Sequence, residues 1–372
     1  MLIIFTAFFV SFIVTVLIVR YQHIHGRFSH DHSESGPQKF HVDPTPRIGG
    51  VPLIIGTLAG LIMAWVRDWS HNTVLLLLLC ALPVWGVGIL EDVTKRINPN
   101  WRLLAAFSSA ALAFWMIDAE LQRLDIAFLD QALHWAPLSL LLTIVAVGGV
   151  SHSFNIIDGY NGLAAIVSLL ILAAIIYVSL AVNDFELVAI SLSLMGATFG
   201  FLLLNYPRGL IFAGDGGAYL WGFIIAELSI LLVVRHDAVS PWFPMLLVIY
   251  PVWETLFSIY RRRFIRGASP GLPDALHLHQ LIYFRLARWM VGNREAHHMV
   301  KRNAMTSPYL WGIACLSIAP ALIFWENSTA LIICLVLFIV IYGWLYRKLV
   351  RFRAPRLLIW RNQKTNKETL LS

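Results

Sequence analysis

Ser153-Phe154-Asn155-Ile156-Ile157-Asp158-Gly159-Tyr160-Asn161-Gly162-Leu163 is a short polar island between two long apolar runs. Lipid offers an amide or carboxylate no partner, so these groups need protein, water or a ligand around them. A plain turn does not require an ordered Asn, Asp, Asn set. The stretch reads as part of a membrane-embedded site, and its flanks read as spanning helices.

Composition agrees. The chain has 372 residues, 58% of them hydrophobic and 13% charged. A soluble domain is nearer half apolar and a quarter charged, so this is an all-α polytopic membrane protein. A span takes roughly 20 apolar residues. Eleven segments qualify: Leu2–Val19, Gly49–Val66, Val74–Leu90, Leu103–Ile117, Pro137–Val150, Leu163–Ala181, Phe185–Leu204, Gly217–Val234, Trp242–Ile259, Tyr309–Trp325 and Thr329–Tyr346. The first has no basic residue ahead of it and no small-residue cleavage site, so it reads as a retained helix. Residues 1–346 form one integral-membrane domain with a long loop at 260–308, and residues 347–372 are a basic tail. Cys80, Cys315 and Cys334 sit in apolar runs and read as small core residues. Glu227, in mid-helix, reads as a paired structural acid, and Glu254 belongs to no island.

Basic residues set the orientation. With the N-terminus outside and the C-terminus inside, all but Arg67, Arg123 and Arg235 of the 28 lysines and arginines fall on the cytoplasmic side. The polar islands fall there too. Asp43–Gly50 puts Arg47 at a stiff, proline-bounded helix entry. Glu91-Asp92 places adjacent carboxylates that repel unless a metal, a cation or a proton intervenes, with Lys95, Arg96 and Arg102 just beyond. Asn155 and Asp158 offer hard oxygens that suit Mg²⁺. Phe212-Ala213-Gly214-Asp215 offers a flat ring, a glycine-lined pocket and a carboxylate that serves either as helix cap or as metal ligand. Pro270–Asp274 and His277-Leu278-His279 follow Arg261-Arg262-Arg263. That loop suits phosphate better than a transition metal, and its arginines also suit lipid headgroups.

In this order, Thr45–Gly50, Leu90-Glu91-Asp92, Asn155–Leu163, Phe212–Asp215 and His277-Leu278-His279 resemble the polyprenyl-phosphate N-acetylhexosaminyl-1-phosphate transferase family, MraY/WecA-like. Glu91 stands where the family pairs two aspartates, Asn161 where a second aspartate is frequent, and Gln280 where a WecA-type histidine motif continues. The histidine pattern places the chain nearer the WecA-type branch. The resemblance implies transfer of a sugar phosphate from a UDP-N-acetylhexosamine to undecaprenyl phosphate, with UMP released. It implies a bacterial inner-membrane enzyme that initiates O-antigen or related surface glycan synthesis. Asp215 and Asn155 would hold Mg²⁺, for which Mn²⁺ can substitute. Asp92, Glu91 and Asp158 would be the catalytic acids, with Asp158 also near the uridine. Phe212, Arg47, Lys95, Arg102, His277 and His279 would contact substrate, and Asn161 would support them. Membrane lipids are expected partners, nucleic acid is not, and the resemblance leaves room for a homodimer.

Two other classes compete. A transporter or flippase would place polar groups at mid-membrane in two similar halves, whereas here they gather at one face. A non-catalytic scaffold leaves the acidic islands without a purpose.

Overall fold

In the computed structural model, which describes residues 1–29, 44–69, 72–265, 267, 276–287 and 296–351, the segment Gly214–Arg235 (α10) is the hub. It is apolar on every side, and 94% of its spanning window is buried by other helices. A helix without a polar face has no surface to offer water, so it goes to the centre. Around it lie α1 (Leu2–Arg20), α2 (Gln22–Ser29), α3 (Gly50–Val66), α4 (Asn72–Thr94), α5 (Pro99–Met116), α6 (Ala127–Leu133), α7 (Ala136–Ile157), α8 (Leu163–Ala181) and α9 (Phe185–Asn205). Beyond it come α11 (Trp242–Leu247), α12 (Ile249–Tyr260), α13 (Leu278–Leu281), α14 (Ala296–Ile323) and α15 (Ser328–Val350).

Eight of these helices are long and apolar enough to cross a membrane among the described residues: α1, α4, α7, α8, α9, α10, α14 and α15. The chain is a multi-pass, all-helical membrane protein. The three other expected spans differ for physical reasons. Helix α3 is apolar but only 17 residues long. Helix α5 opens on Pro-Asn-Trp-Arg, which dilutes its apolarity. Trp242–Ile259 is split at Val248, where Pro251 has no N–H to carry the ladder back to Leu247. The expected Pro137–Val150 span runs on to Ile157, so Asn155 sits in the last turn of α7 and not in the loop after it.

Helices α4 and α7 make the main contacts with α10. The α4 crossing is backbone to backbone: a Cβ on Gly88 would stand 2.6 Å from Gly216 Cα. Small residues let spanning helices approach this closely and gain packing that lipid cannot supply. Helices α1, α3 and α9 pack on one another, with Ser11 Oγ donating to the Ala197 carbonyl at 2.7 Å. At the opposite end from the islands, Asp184 caps α9 through the Leu187 amide at 3.0 Å, and Asn327 caps α15 through the Ala330 amide at 3.0 Å.

Two expectations change. Of the cysteines, Cys80 is buried, while Cys315 is exposed on the outer surface of α14. A thiol is apolar enough to face lipid. Glu227 is fully buried, but neither carboxylate oxygen has a hydrogen-bond partner among the described residues, so it is not a paired acid. The tail from residue 352 onward and the Pro270–Asp274 island lie outside the described residues.

Candidate active site

The islands meet where α4 and α7 end and α3, α8 and α10 begin. Two extended pieces lie side by side there. The Gly49 amide donates to the Phe212 carbonyl at 2.9 Å, the Gly50 amide to the Ala213 carbonyl at 3.0 Å, and the Phe212 amide to the Pro46 carbonyl at 2.8 Å. This pairing brings Arg47 to the start of α10. The corner after it needs Gly214, whose φ is +68°. A Cβ there would run into the Arg47 carbonyl and the Asp92 carboxylate.

Asp92 is 1% exposed. Its two oxygens accept the amides of Asp215 at 2.8 Å and Gly216 at 2.9 Å. The carboxylate therefore occupies the N-terminus of α10, where orphan amides and the helix dipole favour negative charge. Arg47 Nη2 stands 3.8 Å from Asp92 and 3.5 Å from Asp215. Arg102 donates to the other Asp215 oxygen. Asn155 Nδ2 donates to Asp215 Oδ1 at 3.0 Å. Asp215 thus stands between two guanidinium groups and an amide.

Asp158, half-buried just past α7, lies within electrostatic reach of this group. Burial pushes its pKa up to about 7; Arg47 pulls it down and Asp215 pushes it further up. Phe212 is half-buried in the paired segment.

The structure gives other residues different work. Glu91 Oε2 accepts the Ile97 amide at 2.7 Å and closes the turn after α4. Lys95 is exposed at that turn with φ 55°. Asn161 is buried: its Nδ2 donates to the Pro207 carbonyl at 3.0 Å, and its amide donates to Asn303 Oδ1 at 2.8 Å. These bonds make it a holder of the turn. Arg261 is 5% exposed, donating to the Leu276 carbonyl and the Tyr346 hydroxyl. It anchors its own loop.

His277 and His279 are buried, and both Nδ1 atoms face Glu254. Burial pushes the His279 pKa down to about 3, so at neutral pH it offers no positive charge to a phosphate. Glu254 is the residue to which the sequence alone assigns no role. Asn205, Asn303 and Ser307 were missed as well: Asn205 Oδ1 accepts the Gly162 amide at 2.7 Å, and Ser307 Oγ donates to the Asn161 carbonyl at 2.6 Å. The burial of an acid near a helix end was the available signal for Glu254. The others are ordinary polar residues whose partners are distant in sequence.

The profile of "Glycosyl transferase family 4" matches residues 74–233, the stretch that holds Asp92, Arg102, Asn155, Asp158 and Asp215. Over that stretch the chain is similar to this family. It is 27% identical over 256 residues to a probable undecaprenyl-phosphate N-acetylglucosaminyl 1-phosphate transferase of Bacillus subtilis, covering 68% of this chain and 70% of that protein. It is 27% identical over 322 residues to a decaprenyl-phosphate N-acetylglucosaminephosphotransferase of Mycobacterium tuberculosis, covering 78% and 75%. It is 29% identical over 245 residues to a phospho-N-acetylmuramoyl-pentapeptide-transferase of Streptococcus mutans, covering 60% and 70%.

The donor set fits the divalent ion that the family resemblance implies. Asp215 and Asn155 each carry a hard oxygen, their side chains are held together by the Asn155 Nδ2–H donating to Asp215 Oδ1 at 3.0 Å, and no thiolate stands among them. Such a set suits Mg²⁺ over softer metals.

Proposed function

We propose that the protein transfers N-acetylhexosamine 1-phosphate from a UDP-N-acetylhexosamine, such as UDP-GlcNAc, to undecaprenyl phosphate, releasing UMP. The reaction would run on the cytoplasmic face of a bacterial inner membrane and would initiate O-antigen or a related surface polysaccharide. The observation that carries this reading is the Asp92–Asp215 pair faced by Arg47 and Arg102 at the end of a spanning bundle. Several negative charges must meet at one phosphorus atom, and fixed cations beside carboxylates are what such a meeting requires.

An oxygen of the lipid phosphate forms a bond to the β-phosphorus, the bond from that phosphorus to the UMP oxygen breaks, and UMP leaves with the electron pair. One anhydride replaces another, so no external energy source is needed. Arg47 and Arg102 hold phosphate oxygens and offset their charge. Asp92, fixed by two amides, orients the lipid phosphate and takes its proton if it carries one. Asp158 and Phe212 would contact the uridine. Mg²⁺ on Asp215 and Asn155 would supply charge neutralisation at the diphosphate when bound.

Offering several UDP-N-acetylhexosamines with undecaprenyl phosphate to purified protein, and measuring UMP, tests this reading. Release with one or more sugars supports it. No release with any of them favours the transporter class.

A further inference from the structure

We infer that Glu254 is a positioning residue: its buried carboxylate pins the His277-Leu278-His279 segment and sets the ring of His279 with Nδ1 toward itself and Nε2 toward the Gly159–Tyr160 turn. The inference rests on the proposed transfer reaction only in treating that turn as part of the substrate site.

Glu254 lies on α12, 1% exposed, and meets groups from two other parts of the chain. The Leu278 amide donates to its Oε1 at 2.7 Å. The Tyr342 hydroxyl, from α15, donates to Oε2 at 2.9 Å. His277 Nδ1 stands 3.3 Å from Oε1, and His279 Nδ1 stands 3.9 Å from the same atom. The two imidazoles are parallel within 4°, with centroids 5.1 Å apart. A buried carboxylate is tolerated only where donors surround it, and removing one side of such an arrangement is costly.

The far side of His279 faces the turn. A Cβ on Gly159 would stand 3.7 Å from His279 Nε2. The Tyr160 ring meets the His279 ring edge to face at 5.6 Å. His279 therefore stands between Glu254, whose carboxylate faces Nδ1 at 3.9 Å, and the turn next to Asp158. A neutral imidazole carries one proton, and its place is set by what faces each nitrogen. The carboxylate favours the proton on Nδ1 and leaves the Nε2 lone pair toward the turn. Direct phosphate clamping by a charged His279 is replaced by this orienting role.

The three side chains also present one ligand atom each within 4.8 Å of one another, so a bound transition metal is the competing occupant. The Leu278 amide and the Tyr342 hydroxyl already take both carboxylate oxygens, which favours the hydrogen-bonded arrangement.

The test uses full-length protein in nanodiscs, labelled with ¹⁵N-histidine. The His279 signals are assigned by their loss in His279→Gln. The expected wild-type result is a protonated Nδ1 and an unprotonated Nε2. Glu254→Gln keeps one acceptor oxygen for the Leu278 amide, turns its N–H₂ toward the Tyr342 hydroxyl, which can rotate to accept it, and removes the charge. It should hold the wild-type melting temperature within a few degrees, shift His279 to a mixture of tautomers, and weaken UDP-GlcNAc binding about 10-fold, the scale seen when an orienting partner is lost. An unchanged tautomer in Glu254→Gln overturns the inference. So does stoichiometric zinc in the purified protein whose removal moves the His279 signals. The tautomer readout needs no substrate, so it stands or falls separately from the transferase reading. Absence of UDP-GlcNAc binding in the wild type counts against that reading alone.

Discussion

The carboxylate of Asp92 accepts the backbone amide of Asp215 at 2.8 Å, so one carboxylate of the pair fixes where the other stands. Asp92 is therefore expected to serve both fold and chemistry. Asp92→Ala exposes two helix amides and removes one carboxylate from beside Arg47. Charge-assisted hydrogen bonds are worth about 1.5–3 kcal/mol each, so its melting temperature should drop clearly. Asp215→Asn should melt near the wild type while losing turnover by about 100-fold or more, the scale of a lost electrostatic group at a reacting centre. Thermal melts and UMP release on both variants check this. Equal melting of the two would separate Asp92 from its capping role.

The pH profile follows from Asp158. Burial pushes its pKa up to about 7, so its charged form grows in as pH rises through that value. Turnover per bound donor should rise across roughly pH 6–8, and Asp158→Asn should flatten the rise. Stability moves the opposite way. Between the unfolded carboxylate value of about 4 and 7, the folded chain holds a proton that the unfolded chain releases. Stability should fall over that window in the wild type and stay flat in the variant.

Gly214 adopts φ +68° against the Arg47 carbonyl and the Asp92 carboxylate. Gly214→Ala should displace the Arg47 segment from α10 and abolish UMP release while the chain still inserts. A Gly214→Ala protein with more than half the wild-type turnover would show that this corner has slack.

At the other end of the bundle, Asp184 caps α9 and pairs with His236 and Arg235. Burial opposes its charge, but the His236 and Leu187 hydrogen bonds and the Arg235 cation outweigh it and hold its pKa below the usual carboxylate range. A depressed pKa contributes stability above the unfolded value of about 4, and that contribution is lost as pH falls through the folded value. Asp184→Ala should cost about 1–2 kcal/mol at pH 7, measured by denaturation in detergent. Asp184→Asn keeps the cap and should lose only the acid-sensitive part.

The helices were legible because lipid imposes a strict rule. Backbone groups must pair within a segment, so long apolar runs announce themselves. The polar islands were legible for the converse reason. Trp242–Ile259 reads as one run because Pro251 is a single residue whose effect depends on the turn before it. The cluster around Asp215 followed from residue type, but the partners did not. Nothing in the spacing says that Glu91 closes a local turn, or that Asn161 supports the chain from behind. Glu254 lies 23 residues before His277, across a loop whose path the sequence does not encode as a pattern. The partners of a buried acid are fixed by tertiary packing, which is why the histidines read as phosphate ligands until their burial was known.

The central claim is that the β-phosphorus of a nucleotide sugar moves to the lipid. UDP-GlcNAc labelled with ³²P at the β position, incubated with purified protein and undecaprenyl phosphate, tests it most directly. The expected result is ³²P extracted with the lipid as a sugar diphosphate, with unlabelled UMP in the aqueous phase. Recovery of the label as UDP in water, with unlabelled sugar on the lipid, would contradict the account.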